Sequence, residues 1–121
     1  MSETEPIARE RVEDCLQRLE DGFRRRWENN EDFRSSLRGK DRDILIDLRA
    51  TGAWCLKVRD GDLEAIEETT VEDPDVEIEA DADDFVDVFD GDLGPVKAYM
   101  TGKIQVDAGM RDLMLGKKFL G

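Results

Sequence analysis

Three stretches of strict alternation dictate most of what this chain can become. Ile44, Ile46 and Leu48 alternate with Leu45, Asp47 and Arg49; Trp54, Leu56 and Val58 repeat the pattern; Val76, Ile78 and Ala80 alternate with Glu77 and Glu79. Side chains at every second position share one face of a strand, so each run offers an apolar face and a polar one. Bringing the apolar faces to one side requires particular turns. A two-residue turn at Thr51-Gly52 would set Ile46 against Lys57 and mix the faces. A three-residue loop, Thr51-Gly52-Ala53, with Gly52 at positive φ, sets Leu48 against Leu56, Ile46 against Val58 and Asp47 against Lys57. The next turn, Asp60-Gly61, has the residues of a two-residue type I′ hairpin and matches Val58 with Leu63, Leu56 with Ala65, Lys57 with Glu64 and Arg59 with Asp62. Asp73-Pro74 then interrupts the chain before the Val76 strand, and Ile104 with Val106 supplies a fifth. The expected sheet has one apolar and one charged face, with residues 43–80 as a meander, and with Leu45, Cys55 and Ile66 on the charged side as a possible contact surface.

Helical periods flank these strands. Val12, Cys15, Leu16, Leu19, Phe23 and Trp27 recur at steps of three and four, which predicts one apolar stripe on a helix from about Pro6 to Asn29. Its Arg24-Arg25-Arg26 run lies among acids and reads as a solvated helix face. Asp81 or Asp83 can cap a short helix carrying Phe85, Val88 and Phe89, with Gly91 to end it. Pro95 suits the first turn of another helix bearing Val96, Tyr99 and Met100. A last helix is expected from about Gly109, holding Met110, Leu113, Met114 and Leu120 with Phe119 nearby. All these helices have apolar faces, and the single apolar sheet face is the only large surface on which to bury them. The fold class is therefore α+β, a five-stranded sheet with helices packed on one face. Residues 1–121 form one domain: an N-terminal helix over 1–30, strands over 43–80, and helices with the last strand over 83–121.

Composition narrows the function. With 31 acidic and 18 basic side chains the net charge is −13, which opposes binding to phosphate backbones; no nucleic-acid partner is expected. The carboxylates are spread over the whole length. Such repulsion is tolerable where salt shortens the Debye length to about 3 Å at 1 M, so the chain reads as halophilic. Cys15 and Cys55 sit within apolar patterns as reduced packing residues. The first residues lack the basic and apolar runs of a signal peptide, and no segment approaches the ~20 apolar residues of a membrane span. A cytoplasmic protein without integral membrane association is expected.

No motif here carries covalent chemistry. The chain contains 0 histidines, which removes the usual general base, the Ser-His and Cys-His pairs, and the commonest zinc ligand. Phosphate-binding glycine loops are missing as well. The clusters Asp60-Gly61-Asp62, Asp81 to Asp84 and Asp90-Gly91-Asp92 lack the spacing of a calcium loop and read as solvated turns and caps. A non-enzymatic protein with no catalytic residue, metal or cofactor is expected. What remains is an apolar inventory rich in aromatics and methionine, a residue that adapts to varied apolar ligands because it is unbranched and polarizable.

Pro74-Asp75-Val76-Glu77-Ile78, Asp84-Phe85, Gly91-Asp92-Leu93-Gly94-Pro95 and above all Ala98-Tyr99-Met100-Thr101-Gly102-Lys103-Ile104-Gln105-Val106 carry a family resemblance. From about Trp27 to Leu120 the chain resembles the sterol carrier protein type-2 domain. The resemblance implies a five-stranded sheet covered on one face by helices around an apolar tunnel. It also implies non-covalent binding of sterols, fatty acids, acyl-CoAs or phospholipids. Carried over by position, Phe85, Phe89, Tyr99, Met100, Ile104 and Val106 line the tunnel, and Met110, Leu113 and Met114 close it. Two departures stand out. Asp107-Ala108-Gly109-Met110 differs from the family's usual Gly followed by a polar residue, and Phe119-Leu120-Gly121 is not the peroxisomal tripeptide of many eukaryotic members. The acidic surface also opposes CoA phosphates and anionic membranes. The resemblance thus implies binding and transfer of a fatty acyl, sterol-like or isoprenoid lipid. The alternative is a ligand-free accessory or oligomerisation module, a homodimer or the companion of a lipid-metabolism enzyme.

Overall fold

The computed structural model describes residues 4–109. Its first helix, α1, runs Thr4–Asn29 and buries Val12, Cys15, Leu16 and Phe23, with Leu19 and Trp27 partly buried against the same core. That is the stripe read from the three-and-four spacing. A second helix, α2 (Glu31–Leu37), follows at once, capped by Asn30, whose side chain accepts from the Phe33 amide. It was not anticipated, although Asn30 followed by Glu31 and Asp32 is a legible N-terminal signal. Arg34 turns back to donate to the carbonyl oxygens of Trp27 and Glu28, so α2 closes the end of α1.

Five strands form one sheet in the order β3-β2-β1-β4-β5: β1 (Arg42–Arg49), β2 (Gly52–Arg59), β3 (Asp62–Glu67), β4 (Val76–Asp81) and β5 (Ile104–Ala108). Two further helices, α3 (Ala82–Asp90) and α4 (Pro95–Met100), lie between β4 and β5 in the chain. The helix-side core joins Ile46, Leu48, Trp54, Leu56, Val58, Leu63 and Ala80 to Val12, Phe23, Phe85 and Val86. The α+β class and the one-sided helical cover agree with the expectation.

Registers differ from it in instructive ways. The first hairpin does have an odd loop, so apolar faces coincide, but the loop is Arg49 to Thr51 and pairs Ile44 with Leu56, Ile46 with Trp54 and Leu48 with Gly52. Gly52 takes positive φ as expected, at 157°, and Ala50, at φ 62°, enters the left-handed region as well. Gly52 is also needed for space: a Cβ there would lie 3.1 Å from the Trp54 ring and 3.4 Å from Arg9. The second hairpin starts as expected, Val58 opposite Leu63 and Arg59 opposite Asp62, then bulges so that Lys57 meets Ala65 and Leu56 meets Ile66. An extra residue reverses which side chains face the core. Ile66 therefore packs against the helix-side core and not on the charged face. Nor do residues 43–80 form a simple meander. β4 crosses to the far side of β1 and runs parallel to it, Ile46 beside Ile78.

The charged face is knit by ion pairs: Lys57 with Glu67 at 2.8 Å, Arg59 with Asp43 at 2.9 Å, and Arg49 with Asp81 at 3.2 Å. Leu45 and Cys55 do lie on this face, yet they are 6% and 0% exposed. They are not available as a contact surface. Burial raises the Cys55 thiol pKa, as expected of a sulfur kept in its neutral form.

Candidate ligand-binding region

The residues expected to surround a ligand come from α3, α4, β5 and the segment after β5. Helix α3 begins directly from β4 with Asp81 as N-cap and ends at Gly91, whose φ of 84° lets the chain turn. The amides of Asp92 and Leu93 then donate to the Asp87 carbonyl at 2.9 and 3.2 Å. Ala82, Phe85 and Val86 are the buried residues of this helix. The Phe85 and Phe89 rings are 5.0 Å apart and tilted by 51°. Phe85 is buried and Phe89 is half-buried against the same core, a geometry that aromatic pairs favour.

On the sheet, Ile104 lies opposite Ala80 and Val106 opposite Ile78, so both β5 side chains sit on the helix-covered face. Ile104 packs against the core cluster, and Val106 is half-buried. Phe85, Phe89 and Ile104 thus share one core cluster, and Val106 lies on the same face of the sheet.

Tyr99 and Met100 do not join it. They are 49% and 79% exposed, and Val96 is 60% exposed. The reason is helical geometry. Pro95 opens α4 at its first turn, and the small Ala98 is the residue that faces inward, 0% exposed. Positions two residues away from it fall on the opposite side of a helix with 3.6 residues per turn. Val96 and Met100 consequently point outward, with Tyr99 between. These are the large exposed hydrophobics of the described residues. Met110, Leu113 and Met114 lie outside the described residues.

Sequence reasoning missed the contribution of α1. Its Val12, Cys15 and Leu16 lie in the cluster that holds Phe85 and Val86. The signal was the stripe itself, which specifies a buried face but not the element that it meets. Also missed was Asp90, the last residue of α3, which accepts from Arg11 at 2.8 Å and Arg18 at 3.2 Å. Arg18 further donates to Cys15 Sγ at 3.4 Å. Burial raises the Cys15 thiol pKa, and the Arg18 contact works against that rise.

Elsewhere, Glu72, Asp73, Pro74, Asp75, Glu77, Asp107, Ala108 and Gly109 line an open polar groove of about 310 Å³ where β4 begins and β5 ends. Among the described residues no group of three or more His, Cys, Asp or Glu converges as metal ligands would. No described helix is long and apolar enough to cross a membrane.

Comparison with known proteins bears on this region. Residues 23–120 match the profile of the SCP-2 sterol transfer family. No curated protein sequence matches the chain. Among solved structures, palmitated SCP2L2 from Aedes aegypti superposes with a TM-score of 0.65 at 17% identity, over 91% of this chain and 95% of that one. The sterol carrier protein domain 2 of Helicoverpa armigera gives 0.63 at 21% identity, over 86% and 83%. The inverting sec-alkylsulfatase Pisa1 from Pseudomonas sp. gives 0.55 at 17% identity, over 71% of this chain but 13% of the enzyme. At these identities the superpositions speak for the fold.

Proposed function

The chain belongs to the SCP-2 sterol transfer family, and from this premise we propose that it binds and transfers a hydrophobic lipid without catalysing a reaction on it. The ligand is a fatty acyl, sterol-like or isoprenoid lipid. Its site is the apolar region bounded by Phe85, Phe89, Ile104 and Val106. Tyr99 and Met100 extend it as an exposed apolar surface on α4, and Met110, Leu113 and Met114 are the further residues proposed to close it.

One observation carries the proposal. In a chain with net charge −13, the exposed large apolar side chains of the described residues all fall on α4, directly beside that region. Scattered exposed hydrophobics need no account, but three on one helical turn are a concentrated apolar surface. A lipid laid against them gains roughly 25 cal/mol for each Å² of apolar surface removed from water. We place the protein in a salt-rich cytoplasm, where its carboxylates are screened.

Organic extraction of the purified protein followed by mass spectrometry tests the reading. A co-purifying lipid is expected, or saturable uptake of added palmitate by the delipidated protein. Met100→Glu should lower that uptake about tenfold or more, because a carboxylate loses several kcal/mol on entering an apolar site. An empty extract and no uptake overturn the carrier. A ligand-free accessory module is the second reading, favoured by the likeness to a part of a much larger sulfatase. It requires that the α4 stripe be covered by protein instead, which a concentration-dependent mass in solution, abolished by Met100→Glu, would reveal.

A further inference from the structure

The two ends of α3 are held by unlike means. At its start the chain is continuous with β4, and Arg49 donates to Asp81 at 3.2 Å from the neighbouring strand. At its end, among the described residues, two guanidinium groups of α1, those of Arg11 and Arg18, donate to Asp90. Asp90 is also the wrong charge for its place. A helix C-terminus is negative, and α3 has no basic residue in its last turn. The positive charge that this end needs is supplied by another helix.

Beyond Asp90 the described chain leaves large apolar side chains exposed. Helix α4 buries Ala98 and leaves Val96, Tyr99 and Met100 exposed. Just inside it Phe89 is only half-buried, whereas Phe85, one turn earlier, is buried. Burial therefore declines along α3 towards Asp90.

We infer that Asp90 with Arg11 and Arg18 is an electrostatic latch. When it is made, the last turn of α3 and α4 lie closed over the apolar region. When it breaks, α3 pivots about its junction with β4, lifts Phe89 and opens the way between α3 and β5. Hydrogen bonding to Asp90 raises the Arg18 pKa further above its ordinary value, so the group stays charged and the latch does not depend on its titration. The pairs are partly exposed, with side-chain exposures of 56% and 47% for the arginines and 30% for Asp90. Exposed pairs are weak and are screened by salt, which suits an element that must open often. The latch itself does not depend on the lipid reading; its use as a ligand gate does.

Amide hydrogen exchange by mass spectrometry on the full chain tests it, with the β2–β3 hairpin as internal reference. Asp90→Asn should speed exchange over residues 85–100 about tenfold relative to that hairpin. Adding Arg11→Gln to Asp90→Asn should change nothing more, since the two residues act through one interaction. Raising sodium chloride from about 0.1 M to about 1 M should speed exchange of this segment relative to that hairpin in the wild type and leave the ratio unchanged in Asp90→Asn. No selective change, or the same factor over the whole chain, overturns the latch. Stopped-flow with cis-parinaric acid separates the two ideas. Entry and release should both quicken in Asp90→Asn with affinity nearly constant. Unchanged probe rates beside faster exchange overturn the gate. Failure of every form to bind the probe overturns the lipid reading and leaves the latch in place.

Discussion

Two glycines with nearly the same backbone show how much a single residue's surroundings matter. Gly61 and Gly91 have φ of 79° and 84°, the left-handed region where a side chain costs about 1–2 kcal/mol. Around Gly91 an added Cβ would meet no atom within 4 Å, whereas at Gly61 it would lie 2.3 Å from the Leu37 carbonyl oxygen. Gly61 also donates to the Lys40 carbonyl at 2.7 Å, while Asp60 accepts from the Gly39 amide, so the turn is zipped to the segment after α2. Gly91→Ala should therefore cost about 1 kcal/mol, the backbone strain alone. Gly61→Ala should cost about 3 kcal/mol, because the backbone of one segment must also move. Denaturant midpoints with unchanged slopes measure both. Equal losses at the two sites would show that the turn does not dock as described. Asp60-Gly61 was readable as a hairpin from its residues alone. Its contact with Leu37 was not, because α2 went unread and nothing local to Gly61 announces a neighbour far along the chain.

Among elements, the sheet separates what alternation encodes from what it does not. The period of two survives any even slip, so the odd loop and the apolar face of β1 and β2 were legible while the register was displaced. The parallel neighbour of β1 was not legible, since a crossover leaves no turn signature. The bulge in β3 is the sharpest case. Without it Ala65 faces the core and Ile66 the charged side; with it Ala65 pairs with Lys57, and Ile66 with Leu56. Ile66→Asp should then cost about 2–3 kcal/mol through lost packing and a desolvated carboxylate, and Ala65→Asp less than about 0.5 kcal/mol. Thermal unfolding of the two variants reads the difference, and the reverse order would restore the unbulged register. The inward faces of α3 and β5 were legible to the same degree. Phe85, Phe89, Ile104 and Val106 came from faces that periodicity specifies. The orientation of α4 did not, because six residues provide too little pattern to choose between Ala98 and Met100 as the inward side.

For the whole molecule the governing quantity is the excess of 31 carboxylates over 18 cations. Salt acts on it in opposite senses. Screening weakens attractive pairs such as Arg59 with Asp43, but exposed pairs are worth little each, whereas repulsion sums over every uncompensated carboxylate. Repulsion should dominate. The midpoint of thermal unfolding is then expected to rise by about 5 °C between about 0.1 M and about 1 M sodium chloride, the shift that relief of about 1 kcal/mol produces in a domain of this size. A rise alone would not identify the cause, because salts can also strengthen apolar burial. The acidic groove where β4 begins supplies the control. Glu72, Asp73 and Asp107 line it together with Asp75 and Glu77, and the Asp75 carboxylate accepts from the Asp43 amide at 2.8 Å. Glu72→Gln, Asp73→Asn and Asp107→Asn combined remove three negative charges from one place and leave that bond intact. If repulsion governs, the triple variant unfolds at a higher temperature than the wild type in dilute buffer, and the gap closes as salt is added. Parallel salt curves for the two proteins would mean that burial, and not charge, is what salt strengthens.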